Sequence, residues 1–140
     1  GMKEGKAIKE AYFKAVPAFP TLLRQIKKVV KERGHLLGLD GRQLPVRSEH
    51  AALNVLLQSA GALIAKKWVQ LVDAEIQRQN LDATIVAWVH DELQISTKPE
   101  EADHVGNLAR RMAEEAGRHF GFKIPIEAEY SVGRTWADTH

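Results

Sequence analysis

The chain has 140 residues, 44% hydrophobic and 27% charged, the composition of an ordinary globular protein able to bury one continuous core. It has no cysteine, which excludes a disulfide scaffold and thiolate metal sites and fits a reducing cytoplasm, and no apolar run reaches the roughly 18 residues of a membrane helix. The net charge of +2 hides an asymmetry: residues 1–50 carry eleven Lys or Arg against five Asp or Glu, a balance that suits either a polyanionic partner or a solvated helix face.

Gly1-Met2 reads as a tag remnant ahead of a start methionine. A first helix is expected from about Lys3 to Val16, stopping before Pro17. A second starts near Pro20, turns Leu22, Leu23, Ile26, Val29 and Val30 inward, and ends at Gly34. Leu36–Leu39 and Arg42–Val46 flank Asp40-Gly41, the favoured type I′ pair, and Pro45 confines them to a small edge hairpin. A long helix follows from about His50 to Gln79. Leu53, Leu56, Leu57, Ala60, Ile64, Trp68, Leu71 and Val72 fall at helical spacing and form its buried stripe. Ala83–Val89 is apolar on both faces and reads as a central, covered strand. Leu93–Ser96 is its partner, which puts His90-Asp91-Glu92 at the tip. Thr97 to Glu100 has the capping-box pattern, and the next helix buries Ala102, Val105, Leu108, Met112, Ala116 and Phe120 before Gly121. Ile124–Val132 alternates as a last strand. The expected fold is α+β, a small antiparallel sheet with packed helices, in a single domain over residues 1–140.

The sharpest chemistry lies at Val89-His90-Asp91-Glu92. Two adjacent carboxylates at a tight tip, straight after an apolar strand, are costly to keep unless something cationic meets them. Such hard oxygen ligands suit Mg²⁺ or Mn²⁺, and a histidine beside them can orient a ligand or touch a phosphate. Polar residues also belong in turns for local reasons, so the tip alone leaves both readings open. On the long helix, His50, Asn54 and Gln58 lie at i, i+4 and i+8, followed by the small Gly61, Ala62 and Ala65. Neutral donors on such a face can reach the N3 and O2 acceptors of a minor groove. A surface face with a close helix contact is the alternative. His35, His104 and His119 have no metal-ligand spacing and read as surface residues; Trp68 and Trp88 read as core. No P-loop, dinucleotide fingerprint or nucleophile triad is present.

Taken in order, these pieces resemble the Pol I-like (family A) DNA polymerases, and within them the small-phage replicative branch. The likeness runs through Leu39-Asp40-Gly41-Arg42, Val46-Arg47-Ser48, His50-Ala51-Ala52-Leu53-Asn54 and Leu57-Gln58-Ser59-Ala60-Gly61-Ala62-Leu63-Ile64. Trp88-Val89-His90-Asp91-Glu92-Leu93-Gln94-Ile95 is similar to the family's motif C, and Thr135-Trp136-Ala137-Asp138-Thr139-His140 to its terminus. The likeness is loose over residues 3–35 and dense over 39–95. It implies a carboxy-terminal segment of the polymerase palm. It implies that Asp91 is a catalytic metal ligand, that Glu92 supports the metal site near the primer end, and that His90 lies by the primer strand. Asn54 and Gln58 would contact the minor groove of the newly paired end. His50, where the family often has arginine, and Arg47 would lie near the DNA. The implied cofactor is Mg²⁺ in a two-metal site, and the implied partners are primer-template DNA and deoxynucleoside triphosphates. The implied location is the cytoplasm of a bacterial host or phage-infected cell.

No counterpart of the family's motif A strand precedes residue 39, and by the resemblance its fingers helix would end just before this chain begins. The resemblance therefore implies one side of a metal site, a chain inactive by itself, and a separate chain carrying motifs A and B as its complement. Uncovered strand edges add an expectation of self-association. A split gene, a decayed prophage gene and a truncated piece all stand as origins. Two rival functions fit the residues: a non-catalytic DNA-binding or assembly protein of phage or prophage origin, and a small metal-dependent hydrolase centred on His90-Asp91-Glu92.

Overall fold

Proline and glycine punctuate the start of the chain. Helix α1 spans Met2–Ala15 and α2 spans Ala18–Arg33, with Pro17 between them and Pro20 in the first turn of α2, where its missing N–H breaks no helical bond. Gly34 closes α2 in the left-handed region (φ 72), its N–H donating to the Val30 carbonyl at 2.8 Å. The computed structural model describes residues 1–139, and of Met2 and Lys3 the backbone alone. His140, the last residue of the terminal motif, lies outside the described residues. The chain forms two compact units, Gly1–Ala60 and a second beginning at Gly61.

In the first unit, strands β1 (His35–Leu37) and β2 (Gln43–Pro45) pair antiparallel, with Leu36 opposite Leu44. Those leucines join Ile26, Val30 and Ala52 in a buried cluster. Leu22, one turn ahead of that cluster on α2, stays exposed, and so does Leu57, against the expected stripe. The loop between the strands is not the type I′ turn that Asp40-Gly41 suggests. Type I′ requires positive φ at both central residues, and only Gly41 has it (φ 79). The loop instead spans residues 38–42, closed by Gly38 N–H on the Arg42 carbonyl at 2.9 Å and Gly41 N–H on the Gly38 carbonyl at 3.0 Å.

Helix α3 spans Ala52–Arg78 and contributes residues to both units. The second unit is built on its Trp68, Val72 and Ile76. They pack with Leu108 and Ala109 of α4 (Ala102–His119) and with the inward Ala83, Ile85, Leu93 and Ile95 of β3 (Ala83–Val89) and β4 (Glu92–Thr97). Val72 and Leu108 are fully buried, each contributing about 2 kcal/mol on transfer from water. β3 and β4 pair antiparallel, with a bulge between Ile85 and Ala87.

Here three expectations give way. β3 is not a central, covered strand: its sheet has two strands, and Val86, Trp88 and Val89 are exposed. Trp88 is therefore not a core residue. In Ile124–Val132 the expected alternation of burial survives only at Ile126 and Ala128, which are half-buried, while Ile124 and Val132 are exposed, and the segment pairs with no strand among the described residues. Its inward side chains seat on α4 instead. A Cβ on Gly106 would stand 2.3 Å from the Tyr130 ring, and one on Gly117 would stand 2.6 Å from Ile126 Cγ1. A period of two can be satisfied against a helix; a strand also needs backbone partners. The capping box does not form either. Thr97 Oγ1 donates to the Asp82 carbonyl at 3.1 Å, and a 3₁₀ turn at Pro99–Glu101 leads into α4. No helix among the described residues is long and apolar enough to cross a membrane.

Candidate functional site

Val89 and Glu92 are the last pair of the β3–β4 ladder, so His90 and Asp91 make a two-residue loop. Such loops call for positive φ, and His90 takes it at φ 55. Histidine enters this region more readily than most residues, at a cost of about 1 kcal/mol. The Trp88 indole N–H donates to the His90 carbonyl at 2.7 Å and braces the turn. Asp91 stands exposed at the apex, and among the described residues its carboxylate has no hydrogen-bond or ion-pair partner.

Glu92 is treated differently. It is half-buried at the start of β4, and its Oε1 accepts from the Trp136 indole N–H at 2.8 Å and from the Gln94 side-chain amide. Of two adjacent carboxylates, one faces solvent and the other is oriented by two N–H donors. Asp91, Glu92, Gln94 and Trp136 border a groove of about 1200 Å³ that α4 and residues 126–136 complete. Carboxylate oxygens at this tip are the right kind of donor for Mg²⁺. Among the described residues no group of three or more His, Asp or Glu side chains could hold an ion.

The candidate DNA contacts lie in the first unit. Asn54 and Gln58 are one turn apart on α3, both exposed. His50 does not continue their helical face: it sits in the turn ahead of the helix, which starts at Ala52. Ser48 sets that start, its Oγ accepting the Ala51 N–H at 3.3 Å. Arg47 is exposed in the same loop. The set from Arg47 to Gln58 and the set from His90 to Glu92 are each local, in different units.

Sequence reasoning missed the partners of Glu92. Trp136 stood out only as part of the terminal motif, and it lies 44 residues from Glu92 along the chain, so no local pattern announces the contact. Of the histidines set aside as surface residues, His104 and His119 are exposed; the His104 ring meets Gln79 Oε1 at 2.8 Å.

Comparison with known proteins gives a consistent result. Residues 1–138 match the family model for DNA polymerase family A. Over 161 residues the chain is 35% identical to the DNA-directed DNA polymerase of Escherichia phage T7 and 34% identical to that of Enterobacteria phage T3, in each case using 100% of this chain and 23% of the relative. It is 31% identical over 137 residues to DNA polymerase I of Aquifex aeolicus, covering 96% of this chain and 24% of that protein. The chain thus spans about a quarter of the length of the curated relatives it matches. Among solved structures, the POL domain of Pol1 from M. smegmatis, in complex with DNA primer-template and dNTP, superposes with a TM-score of 0.79 at 27% identity, over 91% of this chain and 24% of that one.

Proposed function

The chain belongs to DNA polymerase family A, and on that footing we propose that it is the carboxy-terminal palm segment of a template-directed DNA polymerase. The observation that carries this reading is the Asp91-Glu92 pair at the β3–β4 turn, with Asp91 at the apex of the two-residue loop, without a protein partner among the described residues, and Glu92 opening β4.

Divalent ions bound there would stabilise the charge that develops on a transferring phosphoryl group. Asp91 would hold such an ion from the apex. Glu92 would support it from the start of β4, in the orientation that Trp136 and Gln94 impose. His90 would touch the primer strand. In the first unit, the amides of Asn54 and Gln58 would donate to minor-groove N3 and O2 atoms, which occupy similar positions in every base pair, and so sense pairing geometry without reading sequence. Arg47 and His50 would add backbone contacts whose strength falls with salt. The proposed partners are primer-template DNA and deoxynucleoside triphosphates, and the family's motif A would supply the opposite side of the metal site. The exposed Val86, Trp88 and Val89 support self-association as well, which sedimentation would reveal as a species heavier than a monomer.

Primer extension with Mg²⁺ or Mn²⁺ and all four nucleotides tests the reading. The 140 residues by themselves should give no extension. Installed in place of the matching stretch of the phage T7 relative, they should support it, and Asp91→Asn should remove it. An active chimera indifferent to Asp91→Asn would sink the proposal.

A further inference from the structure

Residues 126–139 form an arm with its own seat and its own lock. Tyr130 lies in the notch over Gly106, and its hydroxyl accepts from Asn107 Nδ2 at 3.0 Å and donates to Asp103 Oδ1 at 3.3 Å. Ile126 fills the second notch, over Gly117. The far end folds into a 3₁₀ turn, Trp136–Asp138, which the Asp138 carboxylate ties off. Its Oδ2 accepts the Arg134 N–H at 3.0 Å, the Thr135 N–H at 2.8 Å and the Thr135 hydroxyl at 2.9 Å. These bonds, the Thr135 hydroxyl foremost, hold the Asp138 carboxyl below its ordinary value. A Cβ on Gly133 would stand 2.4 Å from Asp138 Cβ, so the turn closes too tightly for any larger residue there.

This lock presents Trp136. Its indole N–H reaches Glu92 Oε1 at 2.8 Å, the same oxygen that takes the Gln94 amide. Thr139 Oγ1 lies within donating reach of Gln94 Oε1 at 3.4 Å and of the Trp136 carbonyl at 3.1 Å. Trp136, Glu92, Gln94 and Thr139 thereby close a ring between the arm and β4. Gln94, two residues from Glu92 on the same strand, is a local partner that travels with it. Trp136 is not: it is held by α4 through the arm, so it refers the Glu92 carboxylate to the body of the unit. Two donors on one oxygen fix the plane of the carboxylate and hence the direction of its other oxygen.

We propose that Trp136 is a positioning residue for Glu92, fixing the carboxylate beside Asp91 through an arm docked on α4. The role in metal binding rests on the function proposed above; the pairing itself does not. The test uses the full chain with ¹⁵N-labelled tryptophan at neutral pH. Its three indoles have three different acceptors: the Ala109 carbonyl for Trp68, the His90 carbonyl for Trp88 and Glu92 for Trp136. Glu92→Gln should shift the Trp136 indole signal alone and speed its hydrogen exchange roughly tenfold, as expected when a charged acceptor becomes neutral. An unmoved Trp136 signal overturns the proposal. In a second arm, millimolar Mn²⁺ should broaden the His90–Glu92 amides, and Trp136→Phe, which keeps the ring but not the N–H, should raise the Mn²⁺ needed at least threefold. Equal broadening in wild type and Trp136→Phe, with Asp91→Asn abolishing both, overturns positioning while the metal reading stands. Absence of broadening in the wild type sinks the metal reading, and the indole response then decides the pairing by itself.

Discussion

The two hairpins of this chain solve the same local problem in opposite ways. Each is a two-stranded antiparallel ladder, each has an aspartate in its loop, and each needs a residue at positive φ. In β1–β2 the left-handed position falls to Gly41, and Asp40 is engaged on the spot, accepting the Arg42 N–H at 3.2 Å and its Nε–H at 2.7 Å. Burial pushes the Asp40 carboxyl up, but Arg42's hydrogen bonds and charge outweigh it and leave the group below 3.8. In β3–β4 the left-handed position falls to a histidine, and Asp91 has no partner among the described residues. A turn aspartate whose neighbour neutralises it is explained by the turn. One without such a neighbour, beside a backbone held in a costly conformation, is left open to the ligand role proposed above.

The contrast breaks most readily at the level of activity. In the polymerase chimera, Asp91→Asn should slow primer extension by about 100-fold or more, the scale of losing one preorganised electrostatic group. Asp40→Asn should leave the rate within about twofold. Equal losses at both positions would erase the distinction.

Stability comes next. Each hairpin rests on its own core, so Leu108→Ala beneath β3–β4 should cost about 3 kcal/mol and Leu44→Ala in β2 about 2 kcal/mol, read from urea midpoints. The loops themselves should answer with opposite signs. His90→Gly relieves the φ 55 backbone and should stabilise by up to about 1 kcal/mol, whereas Gly41→Ala forces a Cβ into φ 79 and should destabilise by about 1 kcal/mol. A loss of stability in His90→Gly would mean that the histidine ring has a packing role.

The smallest effect concerns another neutralised acid. Glu75 on α3 is held at about 2, against an ordinary 4.5, by its hydrogen bonds to Arg78 and then to Gln79. A depressed carboxyl stabilises the fold fully above pH 4.5 and loses that contribution as pH falls toward 2. The melting-temperature gap between wild type and Glu75→Gln should therefore close across that window; a constant gap would show that the pair contributes nothing pH-dependent.

Much of this molecule is written locally. Pro17, Pro20 and Gly34 bound the first two helices, the apolar run Ala83–Val89 marks β3, and the polar break after it marks the tip, because backbone geometry and a period of two or 3.6 are decided by near neighbours. The carboxylate pair and the Asn54–Gln58 spacing could be read the same way, as could the resemblance to family A. What the sequence left open was decided by contacts between distant residues. Asp40-Gly41 carries a two-residue turn signal, yet the Leu36–Leu44 register that buries both leucines sets a longer loop. Ile124–Val132 has the period of a strand, yet α4 and its two glycine notches take the side chains of Ile126 and Tyr130, while among the described residues no strand takes its backbone. The apolar outer face of β3 suggests a covered strand, yet a two-stranded sheet leaves it exposed. Trp136 meets Glu92 only because the arm is docked. Period specifies which side of an element is apolar; only packing chooses what that side meets, and hydrogen-bond partners follow from that choice.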